Sequence, residues 1–380
     1  MKSLYNIKDE GKVSIKVVNK STNTTYVNKV DLHTTKETIT DVSNLQFEID
    51  GGFWDSLDWE KEPDADFDTL LAERASQIRN GYKYVILYYS GGIDSDTVLR
   101  VFIKNNIPLD EVVITRVCFD PKDPPLLDIE LAIEKLKRYS KFIPKTKINI
   151  INITPDVLNK FSKEQNWIDS HYNGTIGNFR RLQVHNYNYF GAYNADYITD
   201  NIAHVYAELK PIVKKINNKW YTKLYGFGMG SMATNEPFYS SRSLPELHIK
   251  QCHLVKNYFK NLNFDESILY SPPNSKNIII SENNAFARRH IELACRWVKG
   301  YDSSYQPEKY DGLGKDLITD KNNEDSLIYK HMKKYTPELF HNYVDGVVKP
   351  ILTNSNSAVS DNSRLDILKF SFGKEHYIGE

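Results

Sequence analysis

The sequence predicts an α/β fold: a doubly wound, mostly parallel sheet, with a small β-rich region before it and a helical region after it. Three observations predict this. From residue 83 onward, short apolar runs alternate with segments of helical period, as in strands joined by right-handed helical crossovers. The first run, Val85–Tyr89, is continuously apolar, which suits a strand covered on both faces. The stretch SGGIDS, Ser90–Ser95, then leaves that strand and enters a helix at once.

The elements follow in order. Val13, Ile15 and Val17 alternate with Lys12, Ser14 and Lys16, the period-two pattern of a half-buried strand, and Leu45, Phe47 and Ile49 repeat it before Gly51-Gly52. Phe67, Leu70, Leu71, Ala75 and Ile78 share one helical face over residues 67–79, with Asp64 or Asp66 as the cap. After the glycine turn, Val98, Leu99, Phe102 and Ile103 form the stripe of the next helix. A second parallel strand is expected at Glu111–Phe119, and the breaker DPKDPP follows it. Ile129, Ala132, Ile133 and Leu136 mark another helix, and Ile148, Ile150, Ile151 and Ile153 a third strand. A helix over Asn178–Asn194 leads to a short strand at Asp196–Thr199. Ile212–Tyr225 reads as a hairpin turning at Asn217-Asn218. Phe286, Leu293, Trp297, Leu327, Met332, Leu339 and Val344 suggest helices in the last third, and Thr353–Ser363 is a Ser/Asn-rich linker. The expected division is a β-rich region at 1–80, the nucleotide domain at 81–235, a helical acceptor region at 236–352, and a linker with a C-terminal extension at 353–380.

Composition narrows the function. The 380 residues carry 49 Lys plus Arg against 49 Asp plus Glu, so no net charge favours nucleic acid or a membrane surface. The three cysteines, Cys118, Cys252 and Cys295, form no CxxC pair or disulfide framework, which suits a reducing compartment. No apolar signal core or membrane-length segment is read, and a cytoplasmic protein, in a bacterial cell or a virus-infected host cell, is expected.

SGGIDS carries the chemistry. It sits where a doubly wound sheet binds ligands, at the carboxyl end of its first strand. Gly91 and Gly92 allow unusual dihedrals and close approach, and the helix start offers N–H groups and a positive dipole end to an oxyanion. Ser90 and Ser95 add hydroxyl donors. Asp94 repels a bare phosphate, so it implies a Mg²⁺ bridging carboxylate and phosphate oxygens. The chain contains no GxxxxGK[ST], and no lysine lies in the turn.

With its strand before and helix after, Ser90-Gly91-Gly92-Ile93-Asp94-Ser95 resembles the PP-loop of the N-type ATP pyrophosphatases, over roughly Tyr82–Asn201. That superfamily includes the synthetase domain of asparagine synthetase, GMP synthetase and NAD synthetase, with argininosuccinate synthetase and tRNA-modifying enzymes. The resemblance implies a loop that holds the pyrophosphate of ATP while AMP passes to a substrate oxygen and a nitrogen or sulfur nucleophile displaces it. It also implies adenine over the ends of the first two strands, near Tyr88, Tyr89, Val117 and Cys118, and a later loop facing the site. DYITDN places Asp200 and Asn201 there, as magnesium or substrate contacts or as a plain turn. Asp96 departs from the family, many of whose members have a small hydroxyl residue at that position.

Further candidates each admit a functional and a plain reading. Arg180 and Arg181 can neutralise phosphate or be solvated; GFGMGS at Gly226–Ser231 can bind an acidic substrate or simply connect. Tyr221, Tyr225, Phe227, Phe238 and Tyr239 can line a pocket or fill a core, and Arg288, Arg289 and Arg296 make one helix basic. Residue 2 is Lys2, not the cysteine that serves asparagine synthetase as glutaminase nucleophile, so ammonia, an amine or a partner glutaminase would supply nitrogen. The expectation is an adenylating C–N ligase using ATP and Mg²⁺, with Ser90, Asp94 and Ser95 as catalytic residues, Ser90–Ser95 holding nucleotide, and Asp94 and Asp200 meeting metal. Two alternatives stand beside it: a sulfur-transfer or phosphoadenylyl-sulfate-reductase-like enzyme using Cys118 or Cys252, and an inactive nucleotide-binding or structural protein.

Overall fold

The computed structural model describes residues 15–26, 45–49, 52–117, 127–154, 202–207, 211–226, 235–262, 277–280 and 371–380, with 334 and 337. Near the start, β1 (Ile15–Asn19), β2 (Thr24–Tyr26) and β3 (Leu45–Ile49) form an antiparallel sheet in the order β2-β1-β3. Helix α1 (Phe67–Gly81) follows, and of its two candidate caps Asp66 is the one used. The Asp66 carboxylate accepts from the Thr69 N–H at 2.8 Å, satisfying one of the orphan donors of the first turn. Then come β4 (Tyr84–Tyr88), α2 (Ile93–Lys104), β5 (Glu111–Val117), α3 (Leu127–Tyr139) and β6 (Lys147–Ile153), the expected alternation.

A strand unread in the sequence, β7 (Ile202–Tyr206), lies parallel to β4 on its other side, with Tyr84 opposite Ile202 and Tyr88 opposite Tyr206. The hairpin β8 (Ile212–Ile216) and β9 (Lys219–Gly226) turns at Asn217 and Asn218, whose φ values of 49° and 65° are those of a type I′ turn. Next, β10 (Asn235–Pro237) adds to β7, and α4 (Pro245–Asn261) follows. The chain closes with β11 (Asn277–Ile280) and β12 (Ser371–Tyr377), which flank the hairpin in a four-stranded sheet ordered β11-β8-β9-β12. Residues 371–377, in the segment expected as an extension, are thus a strand of this sheet.

Alternation along the central strands makes two cores. Val85, Leu87, Tyr89, Val112, Ile114, Ala203 and Val205 point to one face, packed on Leu71 and Ile78 of α1, Leu99 and Phe102 of α2, and Ile129 and Leu136 of α3. Burying each such aliphatic or aromatic side chain contributes about 1.5–3 kcal/mol. On the opposite face Ile86, Val113, Ile151 and Ile202 are also buried, so these strands carry apolar residues on both faces, as in a parallel sheet. The described helices α1, α2 and α3 all lie on the first face; helices on the second, which a doubly wound fold would have, are not among the described residues. The expected helix at 178–194 and strand at 196–199 lie outside them too, as do the helices expected beyond residue 280.

Helix α4 links this core to the smaller sheet. Leu247 joins the central core, while Ile249, Cys252, Val255 and Phe259 pack with Trp54, Trp59, Val213, Trp220, Leu224 and Ile378. Three histidines are built into that junction. His376 stacks on Trp59, with centroids 4.5 Å apart and planes 11° apart, and lies 3.4 Å from an Asp55 oxygen. His248 meets both tryptophans edge-on, and His253 hydrogen-bonds the Trp59 carbonyl.

A buried ion pair fixes the fifth strand. Arg74 of α1 and Glu236 of β10 are in contact, at 0% and 1% side-chain exposure, and the Tyr82 hydroxyl donates to the same carboxylate. Arg74 also donates to the Pro237 carbonyl and to Ser243 Oγ, both at 3.1 Å. Arg74→Met leaves Glu236 buried without its cation and is expected to cost about 3–5 kcal/mol, read as a lower urea midpoint. Adding Glu236→Leu should recover most of that loss; a single variant as stable as the parent would show that the pair does not hold the strand.

Burial pushes the imidazoles of His204 and His248 down to about 4. The unfolded chain, titrating near about 6.5, binds more protons than the folded one between those values. The stability attached to these groups is therefore complete above about pH 6.5 and lost as pH falls toward 4. Urea midpoints should drop between pH 7 and pH 5, and His248→Leu should flatten that drop; an unchanged slope in the variant would refute the assignment to His248.

Candidate active site

The central strands are ordered β6-β5-β4-β7-β10, all parallel. Chain order therefore runs outward from β4 to β6 and resumes on the other side of β4 with β7. Such a reversal opens a crevice above the carboxyl ends of the two strands, the place where open α/β sheets take ligands. Ser90–Ser95 follows β4 directly at that point.

Within the turn the two glycines differ. Gly91 has φ of 71°, in the left-handed region open to glycine at little cost. Gly92 has φ −71° and ψ 167°, an ordinary extended conformation, so no special dihedral freedom is used there. Gly92 is the N-cap of α2, and as a glycine it gives no side-chain cap to the helix.

The serines also differ. Ser95 is buried; its Oγ accepts from the Ser90 N–H at 3.2 Å and donates to the Gly92 carbonyl at 3.2 Å. Its hydroxyl thus shapes the turn rather than serving as a donor to a ligand. Ser90 is exposed, and its Oγ lies 3.4 Å from the Gly92 N–H.

Two acids lie in the first turn of α2, with different surroundings. Asp94 is part-exposed, and its main-chain carbonyl accepts from the Tyr239 hydroxyl at 3.1 Å. Tyr239 follows β10, so the end of the fifth strand reaches the loop. Asp96 is wholly buried. Its carboxylate faces Arg100 at 2.9 Å and Lys135 of α3 at 3.1 Å, and accepts from Tyr89 at 2.9 Å and Tyr139 at 3.3 Å. The Tyr139 phenol is pushed up to about 12, first by burial and then by the Asp96 charge beside it.

Of the residues expected near a base, Tyr88 and Tyr89 point to opposite faces. Tyr89 is in the helix-side core with its hydroxyl on Asp96, so it does not line a nucleotide site. Tyr88 is on the other face, stacked on Tyr206 with centroids 4.9 Å apart and planes 2° apart. Its hydroxyl shares a 2.9 Å hydrogen bond with His204 Nδ1. Val117 ends β5, beyond Val113, the residue beside Tyr88. Cys118, Asp200, Asn201, Arg180, Arg181, Arg288, Arg289, Arg296, Phe227 and most of GFGMGS lie outside the described residues. The strand beside β4 runs Ile202–Tyr206 with Ile202 opposite Tyr84, so its amino end, which follows Asp200 and Asn201 in the chain, lies at the edge of the sheet away from the loop.

For Cys252 the structure favours a buried structural cysteine over the sulfur-transfer alternative. It is buried on α4, 3.2 Å from Thr222 Oγ1, and burial pushes its thiol up to about 12, the reverse of an activated thiolate. Of the two readings given for Phe238 and Tyr239, pocket or core, the core reading holds. Sequence reasoning missed Tyr206 and His204, because their strand is short and its apolar run is broken by His204 itself.

Gly91→Ala places a Cβ at positive φ and is expected to destabilise by about 1 kcal/mol, with a larger loss in nucleotide binding than Gly92→Ala causes. Calorimetric titration of both variants with ATP·Mg²⁺ checks this, and equal losses would contradict the division between the glycines.

No family model matches the chain, and no curated protein matches it in sequence. Among solved structures it is similar to an NH3-dependent NAD synthetase from Campylobacter jejuni subsp. jejuni NCTC 11168, in complex with the nitrate ion. The identity is 18% and the TM-score 0.26; the match covers 38% of this chain and 58% of the synthetase.

Proposed function

We propose that this chain is an ATP-dependent ligase of the PP-loop type that releases AMP and pyrophosphate while joining a nitrogen nucleophile to a carboxylate or carbonyl acceptor. One observation supports it above the others: a glycine turn at positive φ joins the central parallel strand to a helix start without a side-chain cap, at the point where strand order reverses. That combination suits a polyphosphate.

The residues present fit the nucleotide. Gly91 bends the chain, the start of α2 directs main-chain N–H groups toward phosphate oxygens, and Ser90 is the exposed residue of the turn. Among the described residues no cluster of three or more His, Cys, Asp or Glu can hold a metal by itself. Asp94 would hold Mg²⁺ together with nucleotide oxygens, in keeping with an ion that takes one or two carboxylates plus phosphate. When bound, the ion supplies neutralising charge for the departing pyrophosphate. The loop itself would bind and orient, with little general acid–base work.

In this reading the 236–352 region is the candidate for acceptor contacts, Asp200 is set aside because Ile202 two residues on pairs with the far end of β4, and the nitrogen donor is ammonia, an amine or a partner glutaminase. A sulfur-transfer reaction draws no support from Cys252. The test is incubation with α-labelled ATP, Mg²⁺ and pools of candidate acids with ammonia. Acceptor-dependent AMP and pyrophosphate are expected, reduced by about 10²-fold or more in Asp94→Ala. ADP as product would overturn the ligase, and nucleotide binding without any pyrophosphate would mark an inactive loop.

A further inference from the structure

The loop's two ends are tied to each other through Asp96. Tyr89 is the last residue before the loop, and Asp96 the first after it. Tyr89 donates its hydroxyl to Asp96 Oδ1 at 2.9 Å, while the Asp96 N–H closes the first helical bond to the Gly92 carbonyl at 2.9 Å. The other carboxylate oxygen, Oδ2, receives Arg100 at 2.9 Å, Lys135 at 3.1 Å and the Tyr139 hydroxyl at 3.3 Å. Arg100 in turn lies over the Tyr139 ring, 5.5 Å from its centroid. Asp96 is wholly buried, with two cations and two phenols around its carboxylate, so it faces the core and not a metal ion or a substrate, although it sits two residues from Asp94 on the same helical turn.

We infer that Asp96 is the positioning residue of the loop: it clamps the strand end to the helix start, anchors both to α3, and leaves Asp94 as the acid that meets the ligand. The clamp has a rigid lever on each side. The Tyr89 ring is packed in the central core, and Lys135 and Tyr139 project from one face of α3. A loop held this way is preorganised, so its N–H groups stand in place before a phosphate arrives. The relation to phosphate rests on the ligase reading above; the clamp itself does not.

Two variants separate clamp from fold. Tyr89→Phe removes only the hydroxyl that joins the loop's ends. Asp96→Asn paired with Lys135→Met removes the charge and one of its two cations, so that less unpaired charge stays buried. In both, amide hydrogen exchange in a peptide spanning 90–97 should quicken by about tenfold while exchange in β5 and β6 stays unchanged. In AMP-forming turnover, kcat should fall by about 10–10²-fold with KM for ATP·Mg²⁺ within about twofold, because orientation rather than binding is lost. Unchanged exchange at 90–97 in both folded variants would overturn the clamp, as would a change confined to KM. If the parent protein forms no AMP at all, the ligase reading fails and the exchange result alone decides the clamp.

Discussion

A guanidinium and a carboxylate, both sealed from solvent, hold the edge of the central sheet in place. Arg74 reaches from α1 to Glu236 on a strand only three residues long, and it also binds the Pro237 carbonyl and Ser243. Backbone pairing alone gives such a strand few hydrogen bonds. The ion pair, with Tyr82 as a second donor, makes its position depend on α1 and so on the whole helix-side core. From there the chain runs through Phe238 to Tyr239, whose hydroxyl touches the first turn of α2. A charge pair at the sheet's edge thus determines what approaches the loop at its centre.

The site shows how one short helix start distinguishes two similar acids. Asp94 and Asp96 are both favoured near the positive end of a helix dipole. Their helical angles differ by about 200°, which sends one toward the crevice side and the other down between α2 and α3. Sequence spacing alone makes them look interchangeable; the core beneath makes one structural. The serines divide in the same way, Ser95 turned inward to the loop's own backbone and Ser90 left exposed.

Much of the fold was legible because hydrophobic periodicity is a local signal. The strands at Val85, Glu111 and Ile148 and the helices at Phe67, Ile93 and Ile129 all announced themselves, as did the Asn217-Asn218 turn. What escaped is non-local. The strand Ile202–Tyr206 has buried His204 at its centre, which interrupts an apolar run, and only its place beside β4 explains why a neutral histidine is tolerated there. Tyr89 read as a ligand contact because its strand was right and its face was not; the residue before a glycine turn does not reveal which side of the sheet it takes. Asp96 read as a departure from a pattern, since its partners Lys135 and Tyr139 lie a full strand and helix away in the chain.

The smaller sheet brings together parts of very different sequence separation. Its hairpin is closed by a two-residue turn and can form on the microsecond scale without help from the rest of the chain. Its outer strand, β12, arrives from far away: Lys256 reaches the Ile378 carbonyl across 122 residues of chain. Loop closure over that distance costs entropy before any contact forms. The expected order of assembly is therefore hairpin first, α4 next, and the closing strand last, with Trp59 stacking on His376 as the final interlock. Among the described elements this closing strand is then the one expected to detach first, carrying the junction between the two cores with it.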